Sequence, residues 1–251
     1  MEKAVMLDRV SRLLAAYKGG ELGGEVMPED ANPGLAKDSA EAYLYFTLPM
    51  ALNYQRNSYT LWKCACQSYL DHDTRDIFSP LIVSRMDNAT LREKLLKYKV
   101  ALQPNKQPVI WNTLCTSIVA FFDGDIRNLF ASCDYSVAKI KRFLAEHKKA
   151  FPYLGGEKII NYWLFVMQAY TDLSFCDRHM ITVAPDTHVV QASVRLGMIT
   201  AEQATKADVQ QSVAAAWEDL LKNTSLDPID VHTPLWLWSR GKFALDIMRL
   251  S

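Results

Sequence analysis

The stretch Phe151-Pro-Tyr-Leu-Gly-Gly-Glu-Lys158-Ile-Ile-Asn-Tyr-Trp163 sets a turn-forming proline and glycine pair directly before an apolar run. Ile160, Trp163, Leu164 and Met167 recur at three- and four-residue spacing, which predicts a helix over Glu157 to Tyr170 with Lys158 in its first turn. A second stretch, Val183-Ala-Pro-Asp186-Thr-His-Val-Val-Gln-Ala-Ser-Val-Arg-Leu-Gly-Met198, puts an aspartate after a proline where a helix N-cap belongs. It predicts a helix over Thr187 to Leu196.

Working outward, the same helical spacing runs through almost the whole chain, and alternating strand-like runs are scarce. The expected fold is all-α. Further helices are expected over Lys3 to Tyr17, Ser39 to Tyr54, Tyr59 to Leu70, Thr90 to Leu102, Pro108 to Phe122, Ser136 to Lys149, Lys206 to Lys222 and Pro234 to Met248. The run Gly19-Gly-Glu-Leu-Gly-Gly24, with prolines at 28 and 33, predicts a long irregular connection over Gly19 to Gly34, either a linker or a mobile flap.

A chain of 251 residues with 49% apolar content is long enough to bury a sizeable core. Basic and acidic residues balance at 28 each, so any nucleic-acid surface has to be a local patch. Lys139, Lys141, Arg142, Lys148 and Lys149 form one just before the Gly155-Gly156 turn, although a solvated helix face accounts for them equally well. Five cysteines at irregular spacing argue for free thiols in a reducing compartment. No cysteine follows Cys176, and no metal site or cofactor is expected. The N-terminus lacks the basic start and apolar core of a signal peptide. With no apolar stretch near the roughly 18 residues a bilayer span needs, a cytoplasmic, nucleoid-associated protein without membrane contact is expected.

The pairing of Gly156-Glu-Lys158 with Asp186-Thr-His-Val and its Arg195-Leu-Gly ending resembles the helix-hairpin-helix DNA glycosylase superfamily. The family hairpin usually reads Leu-Pro-Gly-Val-Gly-x-Lys, and here Leu154 stands at the first glycine. The long crossing from Lys158 to Asp186, together with Asp227-Pro-Ile-Asp-Val-His-Thr-Pro-Leu-Trp236, is similar to the archaeal 8-oxoguanine glycosylase branch. That resemblance implies one domain over residues 1–251, built of two helical lobes with a helix-hairpin-helix motif at the cleft between them. The hairpin and catalytic helices would span about 136–196. The activity implied is a bifunctional DNA glycosylase and abasic-site lyase excising an oxidised purine, with 8-oxoguanine foremost, from double-stranded DNA as a monomer.

The residue roles follow from the chemistry. Breaking an N-glycosidic bond builds positive charge on the sugar, which a fixed carboxylate at Asp186 would stabilise. An amine at Lys158 would attack C1′ and form a Schiff base that permits β-elimination. That amine must be partly neutral, and Tyr153, Tyr162 and Trp163 would give it a dry wall. Gly155 and Gly156 would let backbone N–H groups approach a phosphate, with His188 as a further backbone contact. Flipping the nucleotide needs stacking walls, which the resemblance assigns to Tyr162 and Trp236. His232 stands where that branch has an acidic base-reading residue, and offers one donor and one acceptor instead. Gln55, Arg56 and Asn57 lie where relatives carry the wedge that fills the vacated stack.

Plainer readings exist for each. Asp186 serves a helix as a cap, Lys158 as a surface lysine, Trp236 and Tyr162 as core, and Gln55 to Asn57 as a polar turn. Two other functions fit the same residues: an N-glycosidase acting on a free or modified nucleoside or nucleotide, and a catalytically silent module binding DNA or protein.

Overall fold

The computed structural model describes residues 3–23 and 27–248. Among them every regular element is helical: α1 Lys3–Lys18, α2 Ala40–Thr47, α3 Ser58–Leu70, α4 Pro80–Val83, α5 Asn88–Lys97, α6 Gln107–Phe122, α7 Arg127–Ser132, α8 Val137–Glu146, α9 Glu157–Tyr170, α10 Thr187–Leu196, α11 Val209–Leu221 and α12 His232–Arg240. The chain divides into two compact units, one comprising Met1–Glu25 with Arg178–Ser251 and the other Val26–Asp177.

The unit Val26–Asp177 is organised on aromatic side chains. Tyr45 packs edge-on to Phe46 and Tyr69 and stacks on Phe78, while Trp163 of α9 lies against Phe130. Two buried indoles have their N–H groups bonded, Trp111 to the Ile77 carbonyl and Trp163 to the Thr47 hydroxyl. α2 packs against α9, and α4 against α6.

Several boundaries differ from expectation for local reasons. α2 starts on schedule, with Ser39 accepting from the Ala42 N–H, but ends at Thr47 instead of Tyr54. Pro49 lacks an N–H and its ring would clash with the carbonyl four residues back, so the chain tightens into a 3-10 turn over Pro49–Leu52. α5 begins two residues early, because the Asp87 side chain caps it by accepting from Ala89 and Thr90. It stops short of Leu102, and Lys99 takes a left-handed φ of 58° just beyond its end. α8 is capped by Ser136 and ends at Glu146. α4 and α7 were not expected, being too short to show a helical period.

The expected irregular connection over Gly19 to Gly34 contains one regular turn. Residues 24–26 of it lie outside the described residues, but Pro28–Asp30 forms a 3-10 turn that is fastened on several sides. Tyr170 donates to Asp30 at 2.8 Å and Tyr45 donates to the Ala31 carbonyl at 3.2 Å. Glu29, in the middle of this turn, is wholly buried.

In the other unit, α1, α10, α11 and α12 enclose a core of Val10, Leu13, Val189, Leu196, Trp217, Leu235 and Trp238. Trp217 donates to the Ser193 hydroxyl, which donates in turn to the Val189 carbonyl, so the buried polar atoms on the inner face of α10 are bonded. α12 spans His232–Arg240 rather than Pro234 to Met248. Past Gly241 the chain turns sharply, with left-handed φ values of 55° at Lys242 and 57° at Phe243.

Candidate active site

Lys158 lies in the first turn of α9, exposed to solvent. The turn ahead of it is arranged differently from the expectation. Tyr153, and neither glycine, carries the left-handed backbone, with φ of 65°. Leu154 is buried, which accounts for an apolar residue at that position. Gly156 caps α9, and its N–H donates to the Tyr153 carbonyl at 3.2 Å, so this donor closes the turn. Gly155 is required by close approach, since a Cβ there would lie 3.2 Å from the Leu144 carbonyl oxygen of α8.

Of the three aromatics expected to shield Lys158, Trp163 is buried in the core and Tyr153 leans on Tyr54. Tyr162 alone stays on the Lys158 side of α9, one helical turn on. Its hydroxyl lies 3.0 and 2.9 Å from the two carboxyl oxygens of Glu29. Burial pushes the Glu29 carboxyl up to about 7, against the opposing pull of hydrogen bonds from its own backbone and from Tyr162. At neutral pH this group is divided between a charged acceptor and a neutral acid that also donates. The sequence gives no sign of it, because Pro28-Glu29-Asp30 carries no apolar periodicity and reads as an ordinary solvated turn.

Asp186 is the N-cap of α10, its Oδ1 accepting from the Val189 N–H at 2.9 Å. The cap fixes the carboxylate at the positive end of the helix and leaves it half-buried. Two residues on, His188 meets the edge of Trp236, with ring centres 5.6 Å apart. Its Nδ1 lies 3.2 Å from the Ser239 hydroxyl, whose proton is directed to Gln191. The hydroxyl therefore accepts from His188, which puts the imidazole proton on Nδ1. Trp236 is half-buried, with the Arg240 guanidinium 5.0 Å from its ring centre. Trp236 thus lies between a histidine and an arginine and packs, partly buried, against the core of its unit.

His232 is buried, and its Nδ1 accepts from the Ala184 N–H at 3.4 Å. In the neutral ring that acceptor role leaves the proton on Nε2.

The three wedge residues separate. Arg56 donates to the Val100 and Lys99 carbonyls at 2.7 and 3.2 Å. Asn57 caps α3 by accepting from the Thr60 N–H. Gln55 is exposed, on a left-handed φ of 50°. In the basic patch, Lys139 is paired with Asp134, while Arg142, Lys148 and Lys149 are exposed.

All five cysteines are free thiols. Among the described residues no helix is long and apolar enough to cross a membrane, and no group of three or more His, Cys, Asp or Glu side chains could hold a metal ion. Neither the protein-family models nor the curated proteins include a match to this chain.

Proposed function

We propose that this chain is a bifunctional DNA glycosylase and abasic-site lyase of the helix-hairpin-helix kind, acting on an oxidised purine, with 8-oxoguanine as the foremost substrate. The observation that carries the reading is on α9. An exposed lysine stands one turn from a tyrosine whose hydroxyl rests on a buried carboxyl, so a nucleophile and a polar-ended aromatic wall share one helix face.

In this reading the Lys158 amine attacks C1′ as the N-glycosidic bond breaks, and the base leaves with the bonding electrons and takes up a proton. Opening of the sugar gives the imine. Loss of a C2′ proton then expels the 3′ phosphate, and water hydrolyses the imine to release the lysine. Asp186, fixed by its cap, stabilises the positive charge that develops on the sugar. The resemblance gives Tyr162 and Trp236 as the candidate stacking residues and His232 as the candidate base reader.

Borohydride trapping on a duplex carrying one 8-oxoguanine, alongside abasic and undamaged duplexes, tests this. The expected result is a covalent adduct with the damaged duplex that is lost in Lys158→Gln. An adduct on the abasic duplex alone would keep the lyase and replace the base, and no adduct on either would overturn the proposal.

A second reading, N-glycosidic cleavage of a free or modified nucleoside, is favoured by two bonds. The Gly156 N–H and the Arg56 guanidinium, both assigned to DNA by the sequence, are engaged within the protein. Base release from a free nucleoside, without any trapped duplex adduct, would select it.

A further inference from the structure

Tyr54 and Tyr153 lie in separate loops, yet their rings stack with centres 4.3 Å apart and planes within 6°. The Lys106 ammonium lies 5.3 Å from the first ring centre and 5.1 Å from the second. Near-equal distances set the cation across the pair. Lys106 is exposed and takes part in none of the ion pairs among the described residues.

The two loops are the ones that matter most around α9. Tyr153 belongs to the turn that opens the Lys158 helix, and Tyr54 precedes Gln55. Both Tyr153 and Gln55 are non-glycine residues held at positive φ. Such conformations persist only where the surroundings fix them, and the ring stack fastens one to the other. An exposed ammonium without a carboxylate partner, beside an exposed ring, matches the alternation of phosphate and base along a nucleic-acid strand. An acidic peptide would use the charge and leave the ring without a partner.

We propose that Lys106, Tyr54 and Tyr153 form a strand contact for DNA, in which Lys106 takes a backbone phosphate and the stacked tyrosines hold the Gln55 loop at a fixed position beside the turn that opens α9. This rests on the glycosylase reading and adds to it a phosphate contact and a support for the wedge, neither of which lies in the hairpin glycines.

The test is equilibrium binding of a short duplex carrying a tetrahydrofuran abasic-site analogue, measured over a salt series with an intact duplex beside it. One lost phosphate contact lowers the slope of log K against log salt by about 0.9. Lys106→Met is expected to show that drop, to weaken both duplexes by the same factor, and to keep the native thermal transition, because the side chain is exposed. Lys106→Arg is expected to restore the slope. Tyr153→Phe keeps the stack and its preference for the abasic duplex, whereas Tyr54→Ala loses that preference with the slope unchanged.

An unchanged slope in Lys106→Met, with the native protein binding in a salt-dependent way, would overturn the strand contact and leave the glycosylase reading intact. Absence of salt-dependent duplex binding by the native protein would overturn both.

Discussion

Tyr162 donates its hydroxyl to Glu29, at 3.0 and 2.9 Å from the two carboxyl oxygens, and so ties α9 to a turn more than a hundred residues earlier. Because Glu29 is wholly buried, this contact sits where water cannot share the charge. The carboxyl rises from 4.5 to about 7 as a result.

The sign of the stability effect follows. The folded chain holds the Glu29 proton more tightly than the unfolded chain does, so stability falls as pH rises from 4.5 to about 7 and the cost is complete above that. Glu29→Gln removes the cost and keeps an acceptor for Tyr162. At 1.36 kcal/mol per pH unit, the variant should gain up to roughly 3 kcal/mol at pH 8 and almost nothing near pH 4. Denaturation at the two pH values measures this, and an equal effect at both would show that the carboxyl is not displaced by burial.

At Asp186 the two roles can be separated. Asp186→Asn retains an oxygen for the Val189 N–H and should hold stability within a few tenths of a kcal/mol, whereas Asp186→Ala should cost about 1 kcal/mol. If the carboxylate stabilises a sugar cation, both variants lose excision to a similar degree. Retained excision in Asp186→Asn, with a lowered melting temperature only in Asp186→Ala, would leave Asp186 as a cap and nothing more.

The adjacent glycines should respond unequally. A Cβ at Gly155 meets the Leu144 carbonyl oxygen at 3.2 Å and the Leu144 Cβ at 3.3 Å, so α8 has to move away from the turn. At Gly156 the Cβ meets only the Tyr153 carbonyl oxygen, at 3.3 Å, on an ordinary backbone with φ of −68°. Gly155→Ala is expected to destabilise by about 1 to 3 kcal/mol, as overpacking does, and Gly156→Ala by clearly less. Equal melting temperatures for the two variants would show that α8 yields freely.

Much of this was legible in the sequence where a local rule acts alone. α9 spans Glu157–Tyr170 and α10 spans Thr187–Leu196, as their apolar spacing and the Asp186 cap predict. Prediction failed where a neighbour far along the chain decides. Nothing near Glu29 reveals that it is buried against Tyr162, and nothing near Tyr153 reveals Tyr54. The α2 boundary was a different kind of miss, because Pro49 states locally that the helix ends and the apolar spacing merely continues past it. Gly155 was expected to bare its backbone to a phosphate, and what the structure gives there is a close approach to the Leu144 carbonyl.

Trp236 offers the sharpest separation of base binding from strand chemistry. Its ring is half-buried, edged by His188 and approached by the Arg240 guanidinium at 5.0 Å, and replacement by leucine removes the flat surface while keeping an apolar side chain against the core. Stacking a base on an aromatic side chain contributes about 1 to 3 kcal/mol. Trp236→Leu should therefore slow release of 8-oxoguanine by roughly ten- to a hundredfold, at 1.4 kcal/mol per tenfold. Cleavage at a preformed abasic site involves no base, so it should proceed at the native rate with Lys158 intact. A parallel loss in both assays would mean that Trp236 supports the fold of its unit, and a melting curve of the variant would then shift with them.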